Sequence, residues 1–265
     1  MPRRSTRPAD YQRVPRPIAA MAKNFRDGWH VHPHSHERAQ LLYASEGVMR
    51  VATANGAWVV PPQRAVWVPP GVVHEIRMSG PVSMRTLYID PGLPLRMPDD
   101  CAVIEVSPLL RELILAAVEE PVEYDEAGRG GKIAALILDE IEATRQAPLH
   151  LPMPRDRRLV RICQALLANP ADARTLERWA EAAGASGRTL ARLFRRETGM
   201  TFALWRQQSR VAAALPLLAQ GEAVGLAARA VGYGSPSAFT AMFRRLLGAT
   251  PDRYFRVSRR TPAAR

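Results

Sequence analysis

The sequence predicts a two-domain α+β chain: an N-terminal β-barrel or sandwich with accessory helices, then an all-α half holding two helix-turn-helix units. Three observations carry this expectation. Short strand-like runs fill residues 40–88, apolar residues recur at helical spacing from Pro108 onward, and the stretch Leu193–Thr201 ("LFRRETGMT") returns as Met242–Thr250 ("MFRRLLGAT").

Residues 1–20 are basic and Pro-rich and should form a flexible arm, either a solvated tail or a segment that contacts a ligand or partner. From Gln40 to Tyr88 the runs "QLLYA", "VMRVAT", "AWVV", "AVWV", "HEIRM" and "VSMRTLYI" alternate with turn signals. Asn55-Gly56 marks a hairpin, and "PPQR" and "VPPG" mark corners. Strands this short suit a barrel or sandwich. Leu109, Leu113, Ala116 and Ala117, then Ile133, Leu136, Ile137 and Ile141, have helical period, so two amphipathic helices joined by "EAGRGGK" should follow. Their stripes either cover the open side of the barrel or form the seam of a homodimer. The Pro-rich, then charged stretch Ala147–Arg158 separates the halves, placing the barrel in residues 21–150 and the helical domain in 151–265.

In the helical domain the repeat has a consistent grammar. Leu176, Trp179, Ala180 and Ala183 make one helix face, Gly184 supplies a turn, Ser186 can cap a second helix, and Leu190 and Phe194 bury one side of it. In the second copy Val224, Ala227 and Val231 make the face, Gly232 ends it, Ser235 caps with Pro236 following, and Phe239 and Phe243 are buried. Two helix-turn-helix units therefore span 176–197 and 224–247.

Charge agrees with that division. Residues 1–150 hold 17 Lys/Arg against 18 Asp/Glu, whereas residues 151–265 hold 20 arginines and no lysine against 7 acids, so the whole excess of +12 lies in the second half. A localised arginine surface suits a polyanion, double-stranded DNA above all, because the planar guanidinium grips phosphates and guanine edges. Burying Leu190 and Phe194 turns Arg188 and Arg192 outward near the helix start, where they are candidates for guanine O6/N7, with Arg195 and Arg196 for phosphates. In the second copy Ser237, Thr240 and Ala241 face outward, which implies weaker base readout and thymine-methyl contact, with Arg244 and Arg245 on phosphates. Cys101 and Cys163 fit no C-x-x-C spacing and read as reduced thiols, and no run approaches ~20 apolar residues, so the expectation is a cytoplasmic chain with no membrane partner.

"WHVHPHSH", residues 29–36, places His30, His32, His34 and His36 at alternate positions. On a strand these would share one face and could converge on a metal; Pro33 equally allows an extended polar loop.

"LARLFRRETGMTFALWRQQSRVAAALPLLA" and "AVGLAARAVGYGSPSAFTAMFRRLLGATPDRYF" resemble the AraC/XylS family of bacterial transcription regulators. The resemblance implies two recognition helices in successive major grooves, tied by a linker helix over about Phe202–Ala219, in which Pro216 should kink or shorten the helix. It also implies that the N-terminal barrel is a cupin. Gly28, His34, His36, Gln40 and Gly47 fit the first cupin motif with Gln in place of Glu; Pro69, Gly71 and His74 fit the second, with Gln63 and Met78 where Gly and Asn are usual. Carried over, His34, His36 and His74 would ligate one divalent transition metal (Zn, Ni, Fe or Mn), with Gln40 a weaker fourth ligand through its amide oxygen. His30 and His32 would then be entrance-loop residues. The other reading of these side chains is a hydrogen-bonded polar pocket. Together these features describe a regulator, activator or repressor, whose barrel senses a small-molecule or metal effector. The alternative is a metal-dependent cupin enzyme, a dioxygenase or isomerase. No further acid/base constellation supports turnover, and an enzyme has no use for the basic half.

Overall fold

The structure, a computed structural model, describes residues 5–144 and 150–256. The start of the arm, residues 147–149 of the boundary stretch and the end of the helical domain lie outside the described residues. The chain divides into two compact units, one of residues up to 147 without 55–57, the other of 55–57 with residues from 148 onward.

The first unit is built from antiparallel strands β1 (Ile18–Phe25), β2 (His30–His34), β3 (Ala39–Thr53), β4 (Gly56–Val60), β5 (Arg64–Val68), β6 (His74–Ile89) and β7 (Ala102–Glu105). β6 is the hub: its first half pairs with β2 and the second half of β3, and its second half pairs with β1 and the first half of β3. "QLLYA" and "VMRVAT" are thus one bent strand, as are "HEIRM" and "VSMRTLYI", not the separate strands that the turn-like residues between them suggest. The bends are irregularities in register around Glu46. Gly47 there has φ +77°, and a Cβ on it would collide with the Pro81 carbonyl oxygen, so a residue that reads as a turn signal instead permits a bulge. Similarly, the hairpin between β3 and β4 turns at Ala54–Asn55, one residue before the expected Asn-Gly pair.

Both faces of β5 and of the first half of β3 are buried, which accounts for their unbroken apolar runs. Helices α1 (Pro108–Ala117) and α2 (Arg129–Ala143) lie on the face formed by Leu41, Tyr43, Trp67, Leu87 and Ile104, burying Leu110, Leu113, Ile114, Ile133, Ile137 and Ile141. Residues alternate across a strand, so this face is opposite the one that carries Gln40. The helices therefore cover the outside of the sheet, not its open side. The helical stripe is also displaced from the expected one: Leu109 and Leu136 are 51% and 47% exposed. Ser107 caps the first turn of α1 by accepting a hydrogen bond from the Leu110 amide at 3.0 Å.

The described part of the arm is not a free tail. Residues Pro8–Tyr11 form a 3-10 turn, Tyr11 is buried against the Tyr88 ring with centroids 5.9 Å apart, and Ile18 opens β1. The anchor is Arg38, only 5% exposed, whose guanidinium donates to the carbonyls of Gln12 (3.0 Å), Val14 (2.6 Å) and Arg16 (2.9 Å). Nothing in the sequence marks this role, because these three partners are main-chain atoms. Arg38→Met should lower the stability of this unit by about 3 kcal/mol, since several buried carbonyls lose a charged donor together. Thermal unfolding checks the midpoint, and limited proteolysis should open the chain between residues 7 and 17.

The second unit contains the short strand β8 (His150–Pro152) and helices α3 (Arg157–Ala168), α4 (Leu176–Ala182), α5 (Gly187–Thr198), α6 (Phe202–Ala219), α7 (Val224–Ala230), α8 (Pro236–Leu247) and α9 (Pro251–Arg256). Ser186 and Ser235 cap α5 and α8 by accepting from the Thr189 and Ala238 amides, each at 3.2 Å. Phe194 is fully buried edge-on to Phe202 and Trp205, while Phe239 packs on Phe243. Pro216 does not end α6 early: the helix runs to Ala219, held by buried Ala214, Leu215 and Leu218. Packing of that last turn offsets the one backbone hydrogen bond that proline removes.

Candidate metal centre and nucleic-acid interface

The histidine run is divided by a bulge. His30 pairs with Arg77 and Val31 with Ile76, but His34 pairs with His74, so one residue is inserted between Val31 and His34, where Pro33 stands. A one-residue slip reverses side-chain direction. His30 consequently joins Glu75 at 2.8 Å, with the His32 ring 4.5 Å from its own, whereas His34 turns to His36 and His74. His30 and His32 belong to β2 and not to an entrance loop.

The ligand atoms of His34, His36 and His74 all lie within 4.8 Å of one another. Backbone carbonyls orient two of the rings: His34 Nδ1 is 2.7 Å from the His32 oxygen and His74 Nδ1 is 2.9 Å from the Val72 oxygen. A ring that donates through Nδ1 keeps its Nε2 lone pair for another partner. His74 Nε2, His36 Nε2 and Gln40 Oε1 are buried and have no hydrogen-bond partner. Burial, with the neighbouring rings adding to it, pushes His36 down to about 4; burial likewise brings His74 to about 4, against the opposing Val72 hydrogen bond. Both are neutral near pH 7, the form in which imidazole binds metal.

The loop carrying the second motif docks here, as the Gly71 amide donates to the His36 carbonyl at 2.8 Å. Gln40 is linked to the cluster through Tyr88. Its Nε2 donates to the Tyr88 hydroxyl at 3.3 Å, and the Tyr88 ring is edge-on to His36 with centroids 5.1 Å apart. Sequence reading misses Tyr88; only the register, which sets it opposite Gln40, reveals it. The donor set fits a metal: three imidazole nitrogens converge, and orphaned buried lone pairs such as those of His36 and His74 are otherwise costly.

In the helical unit Arg188, Ala191, Arg192, Arg195 and Arg196 are exposed along α5, and Ser237, Ala241, Arg244 and Arg245 along α8, with Thr240 half-buried. Among the described residues Arg188, Arg192, Arg195 and Arg244 make no ion pair; Arg196 lies 3.6 Å from Glu197, and Arg245 donates to Gln207 Oε1 at 3.0 Å. A row of unneutralised guanidiniums on one helix face is poised for an external anion. No described helix is long and apolar enough to cross a membrane.

A double helix-turn-helix unit joined to a ligand-binding barrel defines a DNA-binding regulator. Comparison with known proteins agrees: a helix-turn-helix domain family matches residues 179–257, and the AraC-like ligand binding domain family matches residues 23–135. The HTH-type transcriptional regulator NimR of Escherichia coli strain K12 is 35% identical over 221 residues, covering 83% of this chain and 81% of that protein. The HTH-type transcriptional regulator RipA of Corynebacterium glutamicum is 42% identical over 103 residues, 39% of this chain and 31% of that one. The solved DNA-binding domain of AdpA, a global transcriptional factor in complex with a target DNA, is 31% identical, covering 38% of this chain and 96% of that one with a TM-score of 0.35. The chain belongs to the AraC family of helix-turn-helix transcriptional regulators.

Proposed function

We propose that this regulator senses a divalent transition metal, alone or with a small molecule, through His34, His36 and His74, with Gln40 Oε1 as a further oxygen ligand. The observation that carries this is the meeting of three histidine ligand atoms, two of them buried with no partner. Bound there, the ion would supply a Lewis-acidic centre. Because Gln40 adds no negative charge, the ion's charge stays uncompensated and an anionic effector is favoured beside it. The chain acts by controlled DNA binding and not by turnover, in the cytoplasm, with residues 1–150 as sensor and 151–265 as reader. Arg188 and Arg192 read bases; Arg195, Arg196, Arg244 and Arg245 hold phosphates; Ser237 and Thr240 give the weaker second readout. Exposed Leu109 and Leu136 support pairing of two copies through α1 and α2.

Selection of bound sequences from random DNA, with and without Zn, Ni, Fe or Mn, tests both halves of the proposal. A bipartite motif should emerge, and its affinity should change with one of the metals. A motif whose affinity ignores every metal, from protein that binds none of them, would leave only the DNA reading.

A further inference from the structure

Two arginines of α6, Arg206 and Arg210, stand one turn apart and grip the same loop, residues 169–175, which leads into the first helix-turn-helix unit. Arg206 Nη1 donates to the Arg174 carbonyl at 2.9 Å, and Arg210 donates to the carbonyls of Pro170 through Nε at 3.0 Å and of Asp172 through Nη2 at 3.3 Å. Arg210 also reaches the second helix-turn-helix unit: its guanidinium lies 5.3 Å from the centroid of the Tyr233 ring, in the turn between α7 and α8. The residue before that tyrosine, Gly232, has φ +81°, and a Cβ there would meet Ala171 Cα at 2.8 Å, the Ala171 oxygen at 2.9 Å and Arg210 Nη2 at 3.0 Å. The entry loop of the first unit and the turn of the second thus touch directly, with the Arg210 guanidinium wedged beside both. A planar fork with several donors suits this position, since it satisfies two carbonyls along its edge and offers its face to an aromatic ring.

The junction lies before Pro216, the residue that deprives the linker helix of a hydrogen bond. We propose that Arg210 is a positioning residue that fixes the separation and rotation of the two recognition helices, so that operator spacing is set at this three-way contact and not by the stiffness of α6 alone. This rests on the reading of α5 and α8 as recognition helices, which wild-type selection tests separately: two half-motifs at one fixed spacing must emerge from it.

The test compares sequences selected from random DNA by the full-length wild type, Arg210→Ala and Arg210→Lys. Lysine keeps the charge and stem but cannot bond both carbonyls and stack on Tyr233 at once. Both half-motifs should persist in both variants, while the single spacing broadens to a set of spacings. Affinity for the wild-type operator should fall roughly tenfold, with affinity for an isolated half-motif unchanged. Unchanged spacing in Arg210→Lys, whether affinity is kept or lowered, overturns the proposal and reduces Arg210 to a stabilising contact. So does equal loss on the half-motif and on the whole operator. Thermal unfolding of each variant identifies one that is unfolded, and the lysine variant then decides.

Discussion

Purified His74→Ala protein should lose metal at stoichiometric level, its affinity falling at least about 100-fold, beyond what loss of an orienting partner alone removes. His74 is the pivot of the cluster: its Nε2 is buried without a partner, its Nδ1 is held by the Val72 carbonyl, and its ring faces both His34 and His36. His36→Ala should behave alike, whereas His30→Ala should leave metal content unchanged, because its ring faces Glu75 on the other side of the bulge. Gln40→Glu should tighten binding, by adding the negative charge that the site lacks. Elemental analysis after dialysis against each metal reads all four variants. Equal metal content in wild type and His74→Ala would remove the sensor reading while leaving the fold untouched.

Arg192→Ala should cost about 1–3 kcal/mol at one base position and relax the sequence preference there, as expected for loss of one bidentate guanine contact. Arg188→Ala should act in the same way at a neighbouring position, since the two side chains lie one turn apart on the exposed face of α5. Arg244→Ala should instead weaken all sequences alike and lower the salt slope by about 1. Titrations against operator variants at several salt concentrations separate the two kinds of loss. Uniform weakening by Arg192→Ala would move it from the bases to the backbone.

The helical half is almost fully legible in the amino-acid sequence. Its caps are single residues, Ser186 and Ser235, and its buried faces follow from 3.6-residue periodicity around Phe194 and Phe243, so local sequence suffices. The barrel is less so. Gly47 reads as a turn and is a bulge in a long strand, and Leu109 reads as core and is exposed, because strand length and helix rotation depend on what lies across the sheet. The three converging histidines are what the resemblance to the cupin motifs implies, and the alternate spacing by itself does not say why His30 and His32 stay apart from them. Nor does any pattern flag Arg38 and Arg210, each of which bonds main-chain carbonyls that carry no residue identity.

Short-range information is enough for the division into barrel and helical halves, the doubled helix-turn-helix unit and its arginine-bearing arcs. Periodicity, caps and charge are properties of short stretches of chain, so they can be read without knowing what packs where. Which histidines face inward, how Arg38 straps down the arm, and how the two helix-turn-helix units meet at Arg210 are settled only on folding, because each depends on strand register or on contact between residues far apart in the chain.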